Sequence, residues 1–176
     1  SKIRTQMYID KLFNLNGKIA AITGAGGYLC SEMALALASA GCKIAVLDLR
    51  IEKAKKVEKV LNQKGFNDIV ALEIDVTVKQ NFEDTLKKIL SQFGDLDIFI
   101  NGAGINASTP FLDISEIEWN SIMDSQLKGT LFGCQVMGEY MLSRGKGSII
   151  NISSASSGPP LSKAFTYSAA KAGIKN

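Results

Sequence analysis

Near the end of the sequence, YSAAK sets Tyr167 and Lys171 four residues apart in an alanine-rich stretch. On a helix that spacing puts both side chains on one face. A free phenol has a pKa of about 10 and is a poor base at neutral pH, but a nearby ammonium stabilises phenolate and lowers that value. One pKa unit is about 1.4 kcal/mol, so one ion pair near the surface can reach a shift of about one to three units. Taken alone, the pair is also ordinary surface decoration. Ser153 and Ser154, just past the strand-like run GSIINIS, change the balance. A serine hydroxyl there can donate to a substrate oxygen while Tyr167 moves the proton. That is a complete alcohol/carbonyl site without histidine.

The sequence contains no histidine, which removes histidine-based general bases, triads and metal sites. Cys30, Cys42 and Cys134 lie far apart, so no metal is expected. In apolar surroundings they read as reduced, mostly buried thiols of an intracellular, cytoplasmic protein. The net charge of +3 is spread without a basic block, and nothing points to nucleic acid or an anionic membrane. No apolar stretch reaches spanning length, and SKIRTQMYIDKLF lacks the core of a secretion signal.

Short β-branched runs alternate with helical patterns along the 176 residues. Strands are expected at Lys18 to Thr23, Lys43 to Asp48, Asp68 to Ile74, Asp97 to Asn101 and Gly147 to Ser153. Helices are expected over about Tyr28 to Ala40, Ile51 to Lys64, Lys79 to Phe93 and Glu116 to Ser143, with a last one from near Ser162. Helical crossovers imply a doubly wound, mostly parallel α/β sheet with helices on both faces. Its near-continuously apolar strands imply burial on both sides. Ligands of such sheets bind beyond the carboxyl ends of the strands. Those ends read TGAGG, LDLR, IDVT, NGAG and NISSAS, which are loop formers one by one and a binding rim together.

In TGAGGYLC, Gly24, Gly26 and Gly27 let the backbone turn tightly and approach a bulky ligand. The helix that follows offers unpaired N–H groups to an anion. Asp48, ending the second strand, can accept from a ribose diol and repels a 2′-phosphate, which favours NAD over NADP. Arg50 works the other way. Asp75 either meets an adenine edge or caps the turn before Val76. Gly102 and Gly104 let the fourth strand's end pass close to a cofactor, with Asn101 tying neighbouring loops.

Together, TGAGGYLC, Asp48, IDVT, NGAG, GSIINISS and YSAAK resemble the short-chain dehydrogenase/reductase family. The resemblance runs from Phe13 to Asn176. It implies a Rossmann-type fold and hydride transfer between NAD and an alcohol/carbonyl substrate. Tyr167 resembles the catalytic acid/base, and Lys171 the residue that binds nicotinamide ribose and lowers the tyrosine pKa. Ser154, thirteen residues before Tyr167, matches the substrate-orienting serine better than Ser153. The resemblance also assigns cofactor contacts to Tyr28, Leu29, Asp75, Val76 and Ala103, and a homodimer or homotetramer to the complete protein.

Three positions depart from the family pattern. Where it has TGxxxGxG, Tyr28 and Cys30 occupy the later glycine positions. NGAG replaces NNAG. Gln126, in DSQLKG, stands where an asparagine holds a proton-relay water, one methylene further out, so an altered relay is expected. The glycine turn and SSASSGPP are also similar to sugar-acid, mannonate-type oxidoreductases, which with Ser156, Ser157 and Ser162 implies a sugar, polyol or sugar-acid substrate. Family members run to about 250 residues, so the 176 residues are expected to form one domain, five strands of seven, lacking its C-terminal part and of little activity alone. The other readings are a non-catalytic NAD(P)-binding protein and a domain for an adenosine-containing methyl donor.

Overall fold

The computed structural model describes residues 7–9 and 11–176. Its strands are β1 Ile19–Thr23, β2 Lys43–Asp48, β3 Ile69–Glu73, β4 Ile98–Asn101 and β5 Ser148–Asn151. They pair in the order β3-β2-β1-β4-β5, parallel throughout. The helices are α1 Tyr28–Ser39, α2 Ile51–Gln63, α3 Lys79–Phe93, α4 Glu116–Met123, α5 Gly129–Arg144 and α6 Phe165–Lys175. This is the doubly wound α/β architecture that the alternation of elements implies.

Side chains alternate across the central strands and so feed two cores. Ile19, Ala21 and Leu47 pack with Phe82 of α3 and Met137 of α5. Ala20, Ile22 and Val46 pack with Ala34 of α1 and Leu61 of α2. Left-handed glycines end two helices, Gly94 after α3 and Gly145 after α5. Ser115 starts α4 by accepting from the Glu118 N–H.

Three expectations need correction. Burial on both faces holds for β1 and β2 but not for the edges: β3 is partly covered, and Ile150 of β5 is 46% exposed. The run from Glu116 to Ser143 is helical throughout, as expected, and continues to Arg144, but it is not all α: a π-helical turn over Asp124–Lys128 joins α4 to α5. The last helix begins at Phe165 rather than near Ser162. Lys163 takes φ 58°, a left-handed conformation that cannot continue a right-handed helix. Among the described residues no helix is long and apolar enough to cross a membrane.

From β1 the chain winds outward through β2 to β3, then returns to place β4 on the other side of β1. The carboxyl ends of β1 and β4 therefore diverge into a crevice.

Candidate active site

The floor of that crevice is backbone. Gly24 has φ +69°, and a Cβ there would lie 2.9 Å from the Ala103 Cα and the Gly102 carbonyl. Thr23 fixes this approach: its Oγ1 accepts from the N–H groups of Gly102 (3.0 Å) and Ala103 (3.1 Å). Gly27 caps α1 without a side-chain hydrogen bond, leaving the first turn's donors to the loop and the cleft.

Asp48 is held from two sides. The Gly26 N–H donates to Oδ2 and the Arg50 N–H to Oδ1, both at 3.0 Å. A Cβ on residue 26 would sit 2.7 Å from that Oδ2, so Gly26 is needed for the carboxylate's position rather than for a ligand's. Of the two readings of Asp75, the cap is the one with visible partners. Its Oδ1 accepts from the Thr77 N–H (2.9 Å) and hydroxyl (2.7 Å).

On the other wall, Lys171 is buried and its Nζ donates to the Ile152 carbonyl at 2.7 Å. The same Nζ lies 5.4 Å from the centre of the Tyr167 ring. Burial pushes the Lys171 pKa below its usual value, with the Cys30 thiol opposing. Ser153 and Ser154 separate in role. Ser153 donates to the Lys171 carbonyl (2.9 Å), which ties β5 to α6. Ser154 caps the turn Ala155–Ser157, accepting from the Ser156 N–H (3.2 Å) with its Oγ 2.9 Å from the Ser156 Oγ.

Gln126 sits in the π-helical turn and is 3% exposed. Its Nε2 donates to the Ile105 carbonyl at 3.0 Å, while Oε1 is buried without a partner among the described residues. The extra methylene has been given room: any Cβ at Gly104 would overlap the Gln126 amide. Asn101 donates to the Asn151 Oδ1 at 2.9 Å, joining the ends of β4 and β5.

A cleft of about 490 Å³ runs from Asp48 and Arg50, across Gly24 and Gly102, to Tyr167 and Lys171. The expected catalytic and cofactor-binding residues line it except Gly26, Asn101 and Ser154, and the candidate hydroxyls of Ser153, Ser156, Ser157 and Ser162 lie outside its lining as well. The first two work from behind the wall, and Ser154 belongs to a turn packed on α6.

The family model described as short chain dehydrogenase matches residues 18–176. The chain belongs to the short chain dehydrogenases. The uncharacterized oxidoreductase UxuB of Bacillus subtilis is 36% identical over 178 residues, covering 93% of this chain and 64% of that protein. An NAD-dependent glycerol dehydrogenase of Listeria innocua is 33% identical over 165 residues, 94% of this chain and 63% of that one. Among solved structures, an NAD-bound Haemophilus influenza protein whose proposed activity is D-mannonate oxidoreduction superposes with a TM-score of 0.88. It is 37% identical, and the match covers 96% of this chain and 66% of that one. The chain thus spans just under two thirds of the length of these relatives.

Within this short chain dehydrogenase, sequence reasoning passed over the Thr23 hydroxyl and the Ile152 carbonyl, and it read Ser156 as a substrate-facing hydroxyl where the residue is buried against Ser154. Thr23 carried a signal, a lone hydroxyl closing the apolar strand IAAIT. The Ile152 carbonyl carried none, since any residue type supplies one.

Proposed function

We propose that the complete protein is an NAD-dependent oxidoreductase interconverting an alcohol and a carbonyl, with a polyol, sugar or sugar acid as substrate. The observation that carries this is the single cleft connecting Asp48 and the glycine floor to Tyr167 and Lys171. A dinucleotide fits these residues. The floor admits close approach because side chains are missing from it, and Asp48 keeps free lone pairs for ribose hydroxyls after accepting two N–H groups. Its charge disfavours a 2′-phosphate.

NAD, when bound, supplies the hydride acceptor or donor. Tyr167 exchanges the proton with the substrate oxygen. The Lys171 ammonium has spent one N–H on Ile152 and keeps two for the cleft, for a ribose hydroxyl and a water. Gln126 Oε1 is the buried acceptor available to that water, and it takes the relay place of the family's asparagine. Either hydroxyl of the Ser154–Ser156 pair can be its donor, and in the arrangement in which Ser156 donates, the Ser154 hydrogen is free to orient a substrate oxygen.

The glycerol and D-mannonate assignments of relatives support the polar substrate class and the mannonate-type branch. The open edge at β5, with Ile150 46% exposed, supports a single domain whose sheet continues past β5 in the complete protein. Leu131 and Leu142, 51% and 83% exposed, lie on one face of α5 and support a homodimer or homotetramer. We place the enzyme in the cytoplasm.

A cofactor-reduction screen of the full-length protein over polyols, sugar acids, steroids and acyl ketones tests the reading. Turnover of a polyol or sugar acid with NAD is expected. Turnover confined to hydrophobic ketones removes the substrate class and leaves the oxidoreductase. NAD should bind at least about tenfold tighter than NADP, about 1.4 kcal/mol, and Asp48→Ala should weaken NAD more than NADP. Equal affinities would mean that Arg50 dominates.

A further inference from the structure

Two departures from the family pattern, a cysteine in the glycine turn and a glycine in NGAG, meet in space. Cys30 opens α1, is 6% exposed, and donates its thiol to the Gly102 carbonyl at 3.8 Å. A Cβ on residue 102 would overlap the Cys30 Sγ and lie 2.8 Å from the Thr23 carbonyl. The loop cannot lift to make room, because the Thr23 hydroxyl holds the N–H groups of Gly102 and Ala103. Nor can it slide along the floor, where Gly24 already meets Ala103 backbone to backbone.

We propose that Cys30 and Gly102 are a size-matched positioning pair that sets the floor of the cleft between the phosphate turn and the β4 loop. This rests on the dinucleotide reading of the cleft. The thiol fills, from α1, the volume that a side chain on residue 102 would fill from β4. Either residue fixes what the other can be. Burial pushes the Cys30 pKa up, against the pull of the Lys171 ammonium, so the thiol keeps the proton that it donates to Gly102. Removing the thiol takes away the worse of the two overlaps and leaves residue 102 with a 2.8 Å contact to the Thr23 backbone carbonyl, which keeps part of the cost of a side chain there. The pair acts on cofactor position and not on proton transfer, because neither residue reaches the substrate oxygen through a side chain.

The test is a double-mutant cycle in the full-length protein with Gly102→Asn, Cys30→Gly and both together. Isothermal calorimetry reads NAD affinity, thermal melting reads packing, and steady-state kinetics separates KM for NAD from kcat. Gly102→Asn is expected to weaken NAD by about tenfold or more and to raise KM for NAD by a larger factor than it lowers kcat. The double variant should bind NAD more tightly and melt higher than Gly102→Asn alone, recovering part of each loss, because the thiol overlap is gone and the Thr23 contact stays. Wild-type affinity in Gly102→Asn, or a double variant no better than that single one, overturns the pair. If Gly102→Asn fails to fold, Gly102→Ala with and without Cys30→Gly carries the same comparison. Wild-type protein that binds no NAD overturns the cofactor reading alone. Melting then decides the pair: recovery in the double variant upholds it, and additive losses overturn it.

Discussion

At the amino ends of β1 and β4, Asp97 accepts from the Ile19 N–H at 3.1 Å and pairs with Lys146 at 3.3 Å. Lys146 also reaches Asp95 at 3.2 Å, and Asp95 pairs with Arg144 and accepts from the Tyr140 hydroxyl at 3.0 Å. At the carboxyl ends of the same two strands, Gln126 Oε1 is buried without a partner among the described residues. There Lys171 is buried with one carbonyl partner, and the floor is bare backbone. A buried polar group left unpaired costs about 1–3 kcal/mol, so the difference is not neutral for folding. The amino end is complete as folded. The carboxyl end keeps Gln126 Oε1 and two N–H groups of Lys171 for partners from outside the chain, a water or a ligand, and in that it differs from a structural network of similar composition.

The largest expected effect breaks the comparison at the chemical end. Tyr167→Phe should cut turnover by about 10²–10⁴-fold, the usual worth of a positioned proton donor. Affinity for NAD and the melting temperature should stay close to wild type, since that hydroxyl makes no hydrogen bond among the described residues. A variant with wild-type rate would make the cleft a binding site only, and the non-catalytic reading would lead.

Asp97→Ala examines the other end. It strips a buried N–H of its acceptor and leaves Lys146 short of a partner, which should cost about 2–4 kcal/mol. For a chain of this size that lowers the melting temperature by about 5–15 °C. NAD affinity, read by calorimetry below the transition, should change by less than about twofold. A variant that melts normally but binds NAD poorly would show that the two ends are not separate in role.

The contrast also explains what the sequence could and could not reveal. Strand and helix order was legible because β1 to β4 and α1 to α3 follow simple apolar periodicity, and Lys43–Asp48 and Lys79–Phe93 fall on the expected bounds. The turn at Asp124–Lys128 was not, because π-helical geometry has no periodic signature and depends on tertiary partners, here Ile105 and Gly104 around Gln126. Side chains aimed into the cleft were legible by type and spacing. Their supports were not: the Thr23 hydroxyl and the Ile152 carbonyl act across the sheet, 80 residues from Ala103 and 19 from Lys171. Cys30 and Gly102 looked like two unrelated exceptions for the same reason, being 72 residues apart.

The smallest expected effect sharpens the comparison through Lys171, where burial without an anionic partner leaves a titration signature. In the unfolded chain this lysine titrates at its ordinary 10.5, and in the folded chain burial holds it lower, the Cys30 thiol opposing. Between the two values the unfolded state binds more protons than the folded one. The contribution of Lys171 to stability therefore rises with pH across that window and is flat below it. Lys171→Met removes the titration, so subtracting the variant's stability from the wild type's isolates it. Thermal melts from about pH 7 to about pH 11 should show the wild type gaining on the variant as the pH climbs toward the ordinary lysine value. A constant or falling difference for Lys171 would mean its ammonium is as well accommodated in the fold as in water. The carboxyl end would then carry no unpaired charge waiting for a ligand, and the contrast would rest on Gln126 alone.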